Sequence, residues 1–364
     1  MSASGHIAFP PPSLRGSFSV YALSSVADDV WAAGRAAGPE RIVRSSRGEP
    51  WQLVPDSDGS GSAQLYGVHA TASDDVWAVG YEHVGSSNAD RTHIAHRDAS
   101  GWQRVASPNV AHNSNRLVAV DAWGPDDACA VGASTAYPPS STPLGLPPVA
   151  AWDTLVLRWD GAHWAAAANP GRGLLADACA IDAETYWAVG TAAPARPARG
   201  GALVPLVALY ADGSWHQAEP PGEGTLFGVA ATGPDDVWAV GQDQDPARLG
   251  GPLILHYDGH EWAAIDAPAA TGQAWLNDVV CAARDDVWAV GAHQPTGGGI
   301  GPLILHFDGS SWARVEPPPT AGASVLLAVT ARAGQGAWAG GFASPTLDDN
   351  GYALSPATSA GGGR

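Results

Sequence analysis

Glu82, Asp243 and His293 are the side chains whose type and spacing could do chemistry. Each stands five residues after the Trp of a recurring Asp-Asp-Val-Trp-Ala-x-Gly string. Two carboxylates and an imidazole at one level of a fold could hold a divalent cation or relay a proton. His83, next to Glu82, extends an acid–base set, and Arg35, Tyr81 and Gln242 add polar neighbours. The alternative is that these positions are solvated loop starts. A second group precedes or opens the apolar run before each string: Gln64, Tyr66, Arg116, Phe227, Trp275 and Asn277. An aromatic ring beside Asn and Arg can stack a sugar or another planar ligand. Ordinary loop packing is the competing explanation.

The elements that would position these residues come from self-similarity. The string Asp-Asp-Val-Trp-Ala-x-Gly occurs at Asp28–Gly34, Asp74–Gly80, Asp235–Gly241 and Asp285–Gly291. Weaker copies centre on Cys129, Trp187 and Trp338. The anchors 31, 77, 129, 187, 238, 288 and 338 mark seven units with a period near 50. A second signature follows in most units. It is Leu255-His256-Tyr257-Asp258-Gly259-His260-Glu261-Trp262, matched by Leu305–Trp312 and Leu157–Trp164, with looser copies ending at Trp51, Trp102 and Trp215.

Each unit reads as four short strands, A to D. Strand A is the apolar run before the Asp pair, and strand B is Val-Trp-Ala-Val. Strand C is the Leu-His run, and strand D opens at the later Trp. The Asp pair is expected to cap the A–B turn, and Asp-Gly to form the C–D hairpin. Four strands per unit, seven times, predicts an all-β, seven-bladed β-propeller. The seventh unit lacks strand D, and residues 6–11 resemble one. They are expected to complete the last blade and close a single domain spanning 1–357, with a Gly-rich flexible tail at 358–364. Thirteen of sixteen tryptophans fall on strand B, at the start of strand D or beside Asp160, which reads as blade packing; Trp275, Trp123 and Trp152 fall outside this register.

Charge excludes several partners. The chain has 18 arginines, no lysine and 36 acidic residues, for a net charge of −18. Such a surface repels nucleic acid and anionic membranes. No apolar run is long enough to span a bilayer, and no signal peptide is evident. Cys129, Cys179 and Cys281 form no CxxC spacing and fit reduced thiols. A cytoplasmic monomer is the expectation.

The Asp-Gly-x-x-Trp hairpin after a Leu-His strand resembles the Asp-box of BNR and sialidase-type propellers. The whole Trp-Ala-Val-Gly to Asp-Gly-x-x-Trp unit resembles photosystem II assembly-factor-like propellers. It is also similar to Kelch repeats, whose Gly-Gly pair occurs here only at Gly340-Gly341. The likeness covers nearly the whole chain at scaffold positions, so it implies a propeller. It carries over no sialidase arginine set and no copper-binding Tyr–His–Cys set.

Function is then expected in the variable loops. The D–A and B–C loops emerge at the same end of the strands and vary most, as in the Pro-rich segment 133–153 and the segment 191–203. The first reading is a module that binds a small molecule, glycan or protein there. The second is a lyase, isomerase or cyclase, or hydrolase at the central mouth, using Glu82, Asp243, His293 and His83, with a divalent cation as the candidate cofactor. The third is an interaction hub. His96, His256 and His306 share one place in strand C and read as structural. His93 and His96 point to opposite faces of a strand and cannot share a metal. Cys129, in a strand-B Trp position, reads as buried.

Overall fold

The computed structural model describes residues 7–8, 18–36, 42–54, 63–84, 89–111, 113–136, 152–193, 203–244, 250–268, 271–317, 323–344 and 350–356. Every regular element among them is a β-strand. The strands form seven four-stranded sheets, all antiparallel, each ordered A-B-C-D across the sheet. We number the sheets in chain order. Their A strands are Phe18–Val26, Ala63–Ala72, Asn113–Gly124, Leu174–Asp182, Gly224–Gly233, Gln273–Ala283 and Ala323–Arg332. Each A strand packs beside that of the next sheet, and the seventh packs beside the first. The fold is the β-propeller that the repeats predict. In the seventh sheet Ile7 and Ala8 pair with Pro356 and Ser355. The rest of 6–11, the tail 358–364, and the loop residues 137–151 and 194–202 lie outside the described residues.

The strand-B motif makes sense in this setting. Val237, Trp238, Ala239 and Val240 are all buried, so both faces of the strand are covered by neighbouring sheets. A continuous apolar run is the signature of a strand buried on both sides. The closing glycine has a different cause. A Cβ on Gly80, Gly132, Gly190, Gly241, Gly291 or Gly341 would collide with a strand-A carbonyl oxygen, that of Gln64, Arg116, Leu174, Thr225, Trp275 or Val325. The Asp-Gly hairpin glycines carry a double demand. Gly161, Gly259 and Gly309 have φ of +88°, +93° and +89°. A side chain there would also press on Asp126, Asp235 or Asp285 of the A–B turn.

Tryptophans build the seams between sheets. The strand-B indole of one sheet meets the strand-D indole of the next edge to face: Trp31 with Trp102, Trp77 with Trp164, Trp187 with Trp262 and Trp238 with Trp312. Centroid separations of 5.2–5.9 Å and angles of 78–89° suit the aromatic quadrupole. Trp51 and Trp338 share one apolar cluster where the seventh sheet meets the first.

The Asp pairs differ from expectation. Their second members do not cap the A–B turn but reach across to strand C. Asp75, Asp236 and Asp286 bind His96, His256 and His306 at 2.6, 2.8 and 2.9 Å. Each imidazole lies against the strand-B indole of its sheet. Asp29 and Asp127 take Arg44 and Arg158 instead. The repeated histidines are therefore scaffold. Cys129 is fully buried, and burial pushes its thiol up to about 12.

Candidate binding site

Near the start of strand A the register of strands A and B slips at the same place in every sheet, leaving one extra strand-A residue there; sheets two to six slip a second time next to the A–B turn. The extra residues at the first slip are Tyr21, Tyr66, Val118, Ala176, Phe227, Asn277 and Leu327. A β-bulge re-aims the side chain it carries. All seven residues line one cavity of about 1020 Å³, walled by the A strands of all seven sheets.

One side of the mouth is an unbroken stack. Tyr21 and Tyr66 lie parallel at 5.0 Å, and Tyr66 and Tyr81 at 5.4 Å. The Arg116 guanidinium sits 4.8 Å from the Tyr81 ring and 5.8 Å from the Trp152 ring. The Tyr66 hydroxyl donates to Gln64 Oε1 at 3.0 Å and lies 3.2 Å from the Tyr81 hydroxyl. Burial and the neighbouring phenols raise the Tyr66 pKa, so it stays a neutral donor. Arg116 Nε donates to Asp90 Oδ2 at 2.5 Å, and His83 Nδ1 lies 2.5 Å from Asp90 Oδ1. The Asp90 side chain is only 1% exposed and is further held by the Ser114 hydroxyl.

Deeper along the A strands lies a polar tier. Asp177 and Asp278 directly follow their bulge residues. Asp177 accepts the amides of Ala178 and Val229, each at 2.9 Å. Asp278 accepts those of Val279 at 2.8 Å and Val329 at 2.7 Å. Asp121 accepts the Ala180 amide at 2.7 Å, and Ser24 the Ala70 amide at 3.0 Å. In each case a side chain of one sheet satisfies a backbone N–H on the unpaired inner edge of the next, where an orphan donor would be costly. His69 Nδ1 lies 2.5 Å from Asp121 Oδ1, and that carboxylate raises the His69 pKa against the opposing effect of burial.

Burial raises the Asp278 carboxyl to about 7; burial and the repulsion of Asp278 push Asp177 well above the ordinary carboxylate range. The native state therefore holds a proton that the unfolded chain has released. That contribution is complete below about pH 4 and disappears as pH rises through about 7. Asp278→Asn should then be more stable than the wild type by on the order of 1 kcal/mol at pH 8, with the advantage vanishing near pH 4. Urea unfolding at the two pH values checks this. An advantage independent of pH would contradict it.

The sequence-predicted residues divide. Tyr66, Arg116, Phe227 and Asn277 line the cavity, with Gln64 and Tyr81 bonded to Tyr66 and His83 behind them on Asp90. Asn277 spends its amide on the Leu326 carbonyl at 2.6 Å, tying sheet six to sheet seven. Arg35, Gln242 and Trp275 are not in the cavity wall. Glu82, Asp243 and His293 do share one level, each paired with the start of strand A. They do not converge. Glu82 is bound by Arg104 of its own strand D, with His93 at 3.9 Å. His293 lies 3.5 Å from Arg314 of its own strand D, and Asp243 is buried in sheet five. Among the described residues, no group of three His, Cys, Asp or Glu side chains is placed to hold a metal ion. A common level does not give a common direction. Sequence reasoning missed Tyr21, His69, Asp90, Asp121, Asp177 and Asp278. Of the off-register tryptophans, Trp152 joins the mouth, whereas Trp123 is 59% exposed near the A–B turn.

No family model matches the sequence, and no curated protein matches it. Solved structures do. YCF48 bound to D1 peptide aligns with a TM-score of 0.58 at 14% identity, over 96% of this chain and 98% of that one. YjhT aligns at 0.52 and 12%, over 84% and 99%. An acylaminoacyl peptidase of Pyrococcus horikoshii aligns at 0.56 and 9%, over 94% of this chain and 52% of that one. At these identities the likeness is one of fold, and the chain is a β-propeller similar in architecture to a peptide-bound one.

Proposed function

We propose that this chain is a seven-bladed propeller, closed by its N-terminal strand, that binds a polypeptide segment at the cavity mouth on the face of the D–A and B–C loops. The observation that carries the reading is the stacked mouth of Tyr21, Tyr66, Tyr81, Arg116 and Trp152 over a cavity large enough for several side chains. Rigid aromatic and arginine groups at a concave mouth are what binding hot spots are made of. That YCF48, of similar fold, has been solved with a peptide bound supports the same class of partner.

The test is selection of a random linear peptide display library on the immobilised full-length chain. Selected peptides should lose about tenfold or more in affinity on Tyr66→Ala or Phe227→Ala, a loss of the size expected for an interface anchor. Both residues are half-buried, so thermal melting should show folded variants. Failure to select any peptide, or binding that ignores both substitutions, would overturn the proposal. An acid–base enzyme is the second reading. It now draws on the His69–Asp121 pair in the cavity wall, in place of Glu82, Asp243 and His293.

A further inference from the structure

The cavity has two tiers of different chemistry. At the bulge level stand the aromatic rings of Tyr21, Tyr66 and Phe227. Below them, on strands of sheets three, four and six, stand Asp121, Asp177 and Asp278. Among the described residues Arg116 is the one arginine in the wall, and its charge is met by the buried Asp90. With no lysine in the chain and a net charge of −18, nothing in the sequence offsets this on a larger scale. Asp177 and Asp278 bind two amides each, and Asp121 two amides and His69, which leaves each some acceptor capacity, since a carboxylate offers about four lone-pair positions.

We propose that the polypeptide bound at this mouth presents a positively charged side chain, guanidinium or ammonium, to the cavity. The inference rests on the peptide-binding reading above and names what such a peptide must carry. Aromatic faces at the mouth attract a cation through the ring quadrupole. The carboxyl groups beyond them face one another across the recess; an arriving cation favours their ionised form, so that the proton held there leaves and facing negative charge takes its place where water screens poorly. An anionic group would face these carboxyl groups with the basic side chains of the wall already engaged, Arg116 by Asp90 and His69 by Asp121. A bare metal ion lacks the converging ligands it needs among the described residues. An organic cation, large and weakly hydrated when it is a guanidinium, needs only facing charge and aromatic contact.

The same display library provides the experiment. Peptides that depend on Tyr66 should be enriched in Arg or Lys at one position. A synthetic Arg peptide of that sequence is then compared with its citrulline twin, which keeps the shape and loses the charge. The citrulline form should bind about tenfold or more weakly to the wild type. On the Asp177→Asn/Asp278→Asn variant the gap should shrink to about threefold or less. Equal affinity of the two peptides for the wild type overturns the inference, and that comparison needs no variant to fold. So do Tyr66-dependent peptides without basic residues, in which case the peptide-binding reading survives alone. Absence of any peptide that depends on Tyr66 or Phe227 overturns both.

Discussion

Gly241→Ala should destabilise the protein by more than about 3 kcal/mol or prevent it from folding, because the change meets backbone rather than side chain. Strand A carries an extra residue at Phe227, and the slip brings the Thr225 carbonyl oxygen over the α-carbon of Gly241. A methyl group on Gly241 would overlap that oxygen and crowd Leu226 Cα as well. Neither neighbour can swing away, since the strands are hydrogen-bonded on both sides of the slip. Relief would require the bulge itself to rearrange, and with it the mouth residue that the bulge presents. Gly124→Ala is the control. A Cβ there meets nothing within 4 Å, so its effect should stay within about 0.5 kcal/mol. Chemical denaturation of both variants decides the matter, and a Gly241→Ala protein within about 1 kcal/mol of wild type would refute the steric account.

That same glycine shows how much the sequence reveals. The Asp-Asp-Val-Trp-Ala-x-Gly string is visible because every sheet imposes the same demands on it. The run is buried on both faces, an indole fills the seam, and the glycine clears a carbonyl. The Asp-Gly-x-x-Trp hairpin is legible for similar reasons. The cavity is harder to read because its positions differ from sheet to sheet. The residue after the bulge is Ala22, Gly67, Ala119, Asp177, Gly228, Asp278 or Ala328, and only two of these carry chemistry. Nothing local in the sequence announces an extra strand residue, so Asp177 and Asp278 look like ordinary members of apolar runs. Glu82 and His293 show the opposite failure. Counting along strand B placed them correctly in height, but their partners, Arg104 and Arg314, lie two strands outward in their own sheets. Tyr66, Phe227 and Asn277 were recognisable because they are large or polar residues close to the turn that leads into strand A.

Arg116→Gln should cost about 3 kcal/mol, as breaking a buried ion pair on one side commonly does. Asp90 is the reason. Its carboxylate is almost wholly buried and depends on Arg116 for its full counter-charge, with His83 and the Ser114 hydroxyl as the other partners. Glutamine can donate one hydrogen bond but brings no charge. It also leaves the faces of Tyr81 and Trp152, between which the guanidinium packs. If the cost arises from the stranded carboxylate, Asp90→Asn in the Arg116→Gln background should recover about half of it, a coupling that a double-mutant cycle in urea measures directly. Additive losses would mean that Arg116 acts through stacking alone. The same variant bears on binding. Arg116 is fixed from below by Asp90 and flanked by two rings, so the mouth is organised before any partner arrives, and little side-chain ordering remains to oppose association. Arg116→Gln should therefore weaken mouth-dependent peptides even where it remains folded. It should leave their preference for a basic residue intact, because the carboxylates that would recognise that residue stand deeper in the cavity, Asp177 and Asp278 on the A strands of other sheets.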